Sequence, residues 1–433
     1  MTGMTDSHHH DVKSRSYGVG RWLPHHQATL TNWVNRLIDS AESAPADKVP
    51  HPVIAEFRDL ISRDPVVRMY LTQMIEQAPV VKRPADPRLF FPVNLKSLNQ
   101  LLRLLDHVLG QSLPFGGSEF PFVGFPINAI LDWCMGTPAG NAAFRNEAVN
   151  AMFRKILDAF GQFLSSSESR YVLNDSPNGW KCAEAISLTG MNDFVYDPAD
   201  QYWGFVSWND FFIRRFKDGA RPIADPDDDK VIVSSCESTP YAIATNVKRH
   251  DNFWIKTQPY SLQDMLANDV LTDQFVGGTV YQAFLDAYNY HRWHAPVGGT
   301  IHSANLVPGT YYSEADAESE DPVAPNHSQG YIAHVAARAL IFIEADDPVI
   351  GLMCVIPVGM AEVSSCVIAP KIRPGYRVAK GEEIGYFLFG GSTHCLVFRP
   401  GSIGNFSLGA IPAEVTSPNP PVVRLGARIA TAN

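Results

Sequence analysis

The feature that most constrains this chain is a change of hydrophobic period near residue 200. Before it, apolar residues recur at three- and four-residue steps. Val53, Ile54, Phe57 and Leu60–Ile61 form one such series. Leu98, Leu101, Leu102, Leu104, Leu105 and Val108 form a second, and Ala151, Met152, Ile156, Leu157 and Phe160 a third. This spacing lines one face of an α-helix. After residue 200 one amphipathic helix is predicted around Trp208–Phe216. Short β-branched runs then follow, at Val231–Val233, Thr279–Tyr281, Ala339–Ile343, Leu352–Pro357 and Leu396–Phe398. Gly and Pro separate them, as strand-rich folds require. Pro374–Gly385 is expected to be two strands joined by a turn at Lys380-Gly381, and Val422–Leu425 a further strand.

Two periods in two blocks give an α+β fold. A helical N-terminal domain is expected at 51–195 and a β-rich domain at 196–433. Residues 1–50 are expected to be loosely ordered, apart from a helical patch at Leu30, Trp33, Val34, Leu37 and Ile38. Gly110, Pro114–Gly117 and Gly136–Gly140 are expected to be loops, and the acidic run Glu314–Asp321 a solvated loop.

Composition narrows the function. Hydrophobic residues at 45% and charged residues at 18% of 433 fit a globular chain and exclude wholesale disorder. A net charge of −10 argues against nucleic acid, whose phosphates need cationic partners. It also disfavours anionic membrane surfaces. The six cysteines match no disulfide or zinc framework, so a reduced, cytoplasmic location is expected. The longest apolar stretch, Val349–Met360, falls short of the roughly 20 residues a membrane helix needs. No integral membrane association is expected.

Three short segments carry candidate chemistry: Ser235-Cys-Glu-Ser238, Tyr290-His-Arg-Trp-His-Ala-Pro296 and Phe387-Leu-Phe-Gly-Gly-Ser-Thr393. Each has a plain reading when taken alone. Gly390-Gly391-Ser392 suits a tight turn. His291 and His294 suit a satisfied core, with no third ligand at zinc spacing, so no metal is expected. Glu237 suits an ion pair.

Taken together and in order, they carry a resemblance. From about Tyr202 to Gly426 the chain resembles the phosphatidylserine decarboxylases, which are self-processing pyruvoyl enzymes. Phe211-Phe-Ile-Arg214 with Ala220-Arg-Pro222, Tyr260-Ser-Leu262 and Gly277-Gly278 precede the His segment. Gly299-Thr300, Val307-Pro-Gly-Thr310, Val358-Gly-Met360, Lys380-Gly-Glu-Glu-Ile-Gly385 and Phe389-Gly-Gly-Ser-Thr393 follow it. The helical N-terminal region is similar to that of a fungal branch of this family, the branch that includes the L-tryptophan decarboxylase of psilocybin biosynthesis. So are Ser235-Cys-Glu-Ser238, Phe342-Ile-Glu-Ala-Asp346 and the Gly-Gly-Ser at 390–392. Members of that branch decarboxylate free aromatic amino acids.

The resemblance implies a phosphatidylserine-decarboxylase-like catalytic domain that cuts itself between Gly391 and Ser392. Ser392 would become the covalent pyruvoyl cofactor, in place of pyridoxal phosphate. His294 would be the base for Ser392, Glu237 would orient the His294 imidazole, and His291 would donate a proton during decarboxylation. The cleaved chains would remain partners, and the substrate would be a free aromatic L-amino acid, L-tryptophan favoured. Two positions depart from the family. Glu237 stands where Asp is usual, and Asn289 stands where Asp is common. Phosphatidylserine is the alternative substrate. A Ser-His-Glu hydrolase lacks a G-x-S-x-G elbow here, and a non-catalytic relative would have no use for Ser392, His291 and His294 together.

Overall fold

In a computed structural model, the residues described are 22–24, 27–45, 48–78, 95–116, 122–251, 260–313, 325–362, 365–389, 392–412 and 421–433. The first half is helical: α1 (Gln27–Glu42), α2 (Pro52–Arg63), α3 (Pro65–Gln77), α4 (Leu98–Val108), α5 (Pro126–Met135), α6 (Pro138–Arg145), α7 (Glu147–Leu164), α8 (Ala183–Thr189) and the short α9 (Trp208–Phe212). Local chemistry sets their starts. Asp64 accepts from the Val66 and Val67 amides ahead of Pro65, and Asn146 does the same for α7. Such caps satisfy amides that the helix itself leaves free. The buried stripe Val149, Met152, Phe153, Ile156, Leu157, Phe160 and Leu164 realises the 3.6-residue period of α7.

The second half is strands: β1 (Val231–Val233), β2 (Thr239–Thr245), α10 (Leu262–Met265), β3 (Thr279–Leu285), β4 (Arg292–His294), β5 (Gly299–Val307), α11 (Pro325–Val335), β6 (Arg338–Ala345), β7 (Leu352–Gly359), β8 (Ser365–Ile368), β9 (Arg377–Val378), β10 (Glu383–Leu388), β11 (Ser392–Phe398), β12 (Ile403–Phe406) and β13 (Arg428–Ala432). Seven form one antiparallel sheet in the order β2-β3-β11-β7-β6-β5-β9. Two small sheets, β4-β10-β8 and β1-β13-β12, flank it. The central strands β7 and β11 are buried on both faces, so they read as apolar runs and not as alternation.

One face of the large sheet packs against the helical region in a single continuous core. The other packs under α10 and α11. The α+β expectation therefore holds, and the two halves share an interior.

Several local expectations change. The helix expected at Trp208–Phe216 stops at Phe212. Gly136–Gly140 is not wholly loop, because Thr137 caps α6 and Gly140 lies within that helix. Its lack of a side chain is needed there: a Cβ would sit 1.9 Å from the Cys134 carbonyl oxygen. The two strands of Pro374–Gly385 exist, but β9 pairs with β5 while β10 joins β4 and β8. Near 422–425 the chain makes a single bridge, Val423 to Ser238, and the strand comes later as β13. Within 1–50 the helical patch extends to 16 residues, and Trp22, Leu30 and Val34 are buried. The acidic run Glu314–Asp321 lies outside the described residues.

Candidate active site

Ser392 opens β11, flanked by Leu285 of β3 and Gly359 of β7. It is fully buried and its Oγ has no hydrogen-bond partner. Phe389, three residues earlier, has φ 44°, a left-handed conformation that a bulky side chain rarely adopts. Its ring is held edge-on by Phe160 at 4.9 Å and Trp208 at 5.5 Å. Backbone held this way stores on the order of 1–3 kcal/mol, supplied by the surrounding packing. Gly391, the other side of the expected cleavage site, lies outside the described residues.

His291 is fully buried, and neither ring nitrogen closes a hydrogen bond. Phe212 stacks on it at 4.0 Å, and Trp22 meets it edge-on at 5.5 Å. Burial, reinforced by the Arg214 guanidinium, holds its pKa well below the usual histidine value, with the Asn289 backbone opposing. The ring is therefore neutral near pH 7. Arg214 donates to the carbonyls of Tyr288 and Asn289 and so fixes the loop that presents His291.

His294 sits at the end of β4. Its Nδ1 donates to the Gly381 carbonyl at 2.7 Å, which leaves Nε2 to accept from the Tyr290 hydroxyl at 2.9 Å. The bond to a carbonyl fixes that tautomer. Burial lowers its pKa, with the Gly381 bond opposing.

Glu237 was expected to orient His294, and in this structure it does not. Its carboxylate pairs with Arg221 and accepts from the Leu425 amide at 3.3 Å. The Gly381 carbonyl, not Glu237, sets the tautomer of His294. Ser392 is likewise not hydrogen-bonded to His294. The structure thus brings Ser392 and His291 into one apolar, water-poor region and holds His294 and Glu237 in separate hydrogen-bonding sets.

Sequence reasoning missed two residues that line this region. Trp22 donates its indole N–H to the carbonyl of Leu285, the residue paired with Ser392, and its ring stacks on Phe125 at 4.8 Å. Nothing local marks this lone tryptophan in a polar segment. His394 shares the Ser392 face of β11, fully buried with both nitrogens unpartnered; burial lowers its pKa to about 4. Strand alternation from Ser392 was enough to find it.

These residues fit a group made from Ser392 itself. Such a group needs no cradle, only a dry site with unengaged donors and acceptors. The unpartnered atoms of Ser392, His291 and His394 supply that. Among the described residues no cluster fit for a metal ion occurs.

The phosphatidylserine decarboxylase family model matches residues 208–430, and a second model of the same description matches residues 51–188. The decarboxylase iboD of Amanita muscaria is 43% identical over 300 residues, covering 65% of this chain and 85% of that protein. The L-tryptophan decarboxylase of Psilocybe cubensis is 34% identical over 370 residues, 80% of each. Phosphatidylserine decarboxylase proenzyme 3 of Schizosaccharomyces pombe is 31% identical over 197 residues, covering 46% of this chain and 19% of that protein.

Proposed function

Because the chain belongs to the phosphatidylserine decarboxylase family, we propose that it is a pyruvoyl-dependent decarboxylase of an aromatic L-amino acid, L-tryptophan first, releasing CO2 and the arylethylamine. The observation that carries this reading is Ser392: buried, unpartnered, at the head of a central strand, just after a strained Phe389. The aromatic side chains of Trp22, Phe125 and Phe212 around His291 favour a planar ring as substrate.

Processing comes first. Ser392 Oγ attacks the Gly391 carbonyl carbon, and the Gly391–Ser392 peptide bond breaks. A serine hydroxyl needs a base for this. His294 has the right tautomer for it, with an acceptor at Nε2 that Tyr290 must vacate. The Gly391 acyl group passes to the Ser392 oxygen as an ester; β-elimination would then release residues 1–391 as a carboxylate, and water would hydrolyse the dehydroalanine left at position 392 to a pyruvoyl group with loss of ammonia. A pyruvoyl carbonyl at position 392 supplies the electron sink that loss of CO2 requires. The residues around it exclude water, which strengthens every polar contact made there. His291, neutral and unpartnered, accepts or relays a hydrogen bond from the bound amino acid. Glu237, held by Arg221, ties the large chain to Leu425 of the small one.

Assay of the purified protein on tryptophan, phenylalanine, tyrosine and phosphatidylserine vesicles tests the reading. CO2 release from tryptophan is expected. Release from the lipid alone would replace the aromatic substrate by the phospholipid.

A further inference from the structure

Decarboxylation ends when a proton reaches the carbon that CO2 has left. Near pH 7, with its pKa held low by burial, His291 is a neutral imidazole with no acidic proton to spare. A second buried donor close by would supply it.

The strand register points to one. β7 pairs with β11 as far as Gly359 opposite Ser392. β8 pairs with β10 as far as Ser365 opposite Leu388. Glu362 lies three residues beyond Gly359, the partner of Ser392, and is 1% exposed.

Glu362 Oε1 accepts from the Asn128 amide at 2.8 Å, in the first turn of α5. Its other oxygen, Oε2, is buried and has no partner. Phe125, the residue just before α5, is the one stacked on Trp22 against His291. A small cavity lined by Asn128, Tyr311, Tyr312, Ser313 and Ala361 adjoins it. We propose that Glu362 is the acid that protonates the substrate carbon after CO2 leaves, acting from Oε2 beside position 392. This rests on the decarboxylase reading given above.

Electrostatics agree with the geometry. Burial raises the Glu362 carboxyl to about 8, against three backbone hydrogen bonds that lower it. The group is therefore largely protonated at pH 7. With Oε1 accepting from the Asn128 amide, the proton is assigned to the unpartnered Oε2. Tyr312 is the titratable side chain that feels its charge among the described residues, and burial keeps that phenol neutral. A buried donor without an acceptor costs about 1–3 kcal/mol, which a proton-transfer role accounts for and helix capping alone does not.

The transfer balances. The bond from the α-carbon to the carboxylate breaks and CO2 departs with no proton. Its electron pair returns to the α-carbon as the Oε2–H proton arrives. Glu362 is left as a carboxylate and regains a proton from water when the product leaves.

The test is Glu362→Gln, which keeps the shape and the acceptor toward Asn128 but holds no transferable proton. Three readouts are made: intact mass, CO2 release over pH, and the infrared carbonyl band of a protonated carboxyl. CO2 release is measured on whichever of tryptophan, phenylalanine, tyrosine or phosphatidylserine vesicles the wild type consumes. That separates failure of this inference from failure of the substrate assignment. Expected are normal cleavage at position 392, CO2 release down by about 100-fold or more, and loss of the basic limb near pH 8. The wild-type band should vanish above that pH and be missing from the variant. In His291→Ala the basic limb should remain. A cleaved Glu362→Gln enzyme with wild-type turnover would overturn the proposal. So would an uncut one, which would place Glu362 in processing, or a wild-type band that is absent at pH 7.

Discussion

Serine, histidine and glutamate at positions 392, 291, 294 and 237 have different surroundings, and the differences set what each can do. His294 has a fixed tautomer and a usable lone pair. Its replacement by Ala should leave the chain uncut, seen as one band on denaturing gels. His291→Ala should allow cleavage but lower CO2 release, because the hydrogen bond it relays to the bound amino acid is lost. Full turnover in that variant would remove His291 from the chemistry. Stability should report other buried titratable residues, among them His334 of α11. His334 and His394 have pKa values of about 4, lowered by burial. Between pH 6.5 and 4 the unfolded chain binds more protons than the folded one at these sites, so stability falls as pH drops through that window. Glu362 acts oppositely. Its folded value of about 8 lies above the ordinary carboxyl value of 4.5, so the stability it contributes is lost as pH rises through 8. In urea titrations between pH 6.5 and 8, Glu362→Gln should therefore lose less stability than the wild type.

Among the elements, the least anticipated is the segment ahead of α1. Trp22 covers His291 and bonds to the strand beside Ser392, while Gly124 donates its amide to the Trp22 carbonyl at 2.7 Å. Trp22→Ala should cost about 3–5 kcal/mol. By admitting water it should also move the histidine limb of the pH–rate profile toward the ordinary value near 6.5. An unshifted profile with lowered stability would make Trp22 purely structural. This element also marks where sequence reading stops. α2, α4 and α7 were legible because a buried face repeats with a fixed period, and β3, β6, β7 and β11 because short β-branched runs are bounded by Gly and Pro. Ser392, His291 and His294 were legible as an ordered set of short motifs. The Glu237–Arg221 pair was not, since the short motif around Glu237 does not encode which cation the fold brings to it. Trp22 and Glu362 were not, because their surroundings come from strand register and from residues a hundred or more positions away.

As a whole, the molecule is one interior shared by a helical half and a sheet half. It should melt in a single calorimetric transition; two separated transitions would contradict a common core. No described helix is long and apolar enough to cross a membrane. Residues 392–433 supply β11 at the centre of the large sheet and β12 and β13 of a small one. Cleavage should therefore leave the two chains associated under native conditions and separable only in denaturant. The central claim is that this architecture exists to cut itself at Ser392. Intact-mass spectrometry of the purified, denatured protein tests that most directly. Two chains are predicted, residues 1–391 and a small chain from position 392 whose N-terminus is a pyruvoyl group. A single mass for the uncut 433-residue chain after prolonged incubation would contradict it.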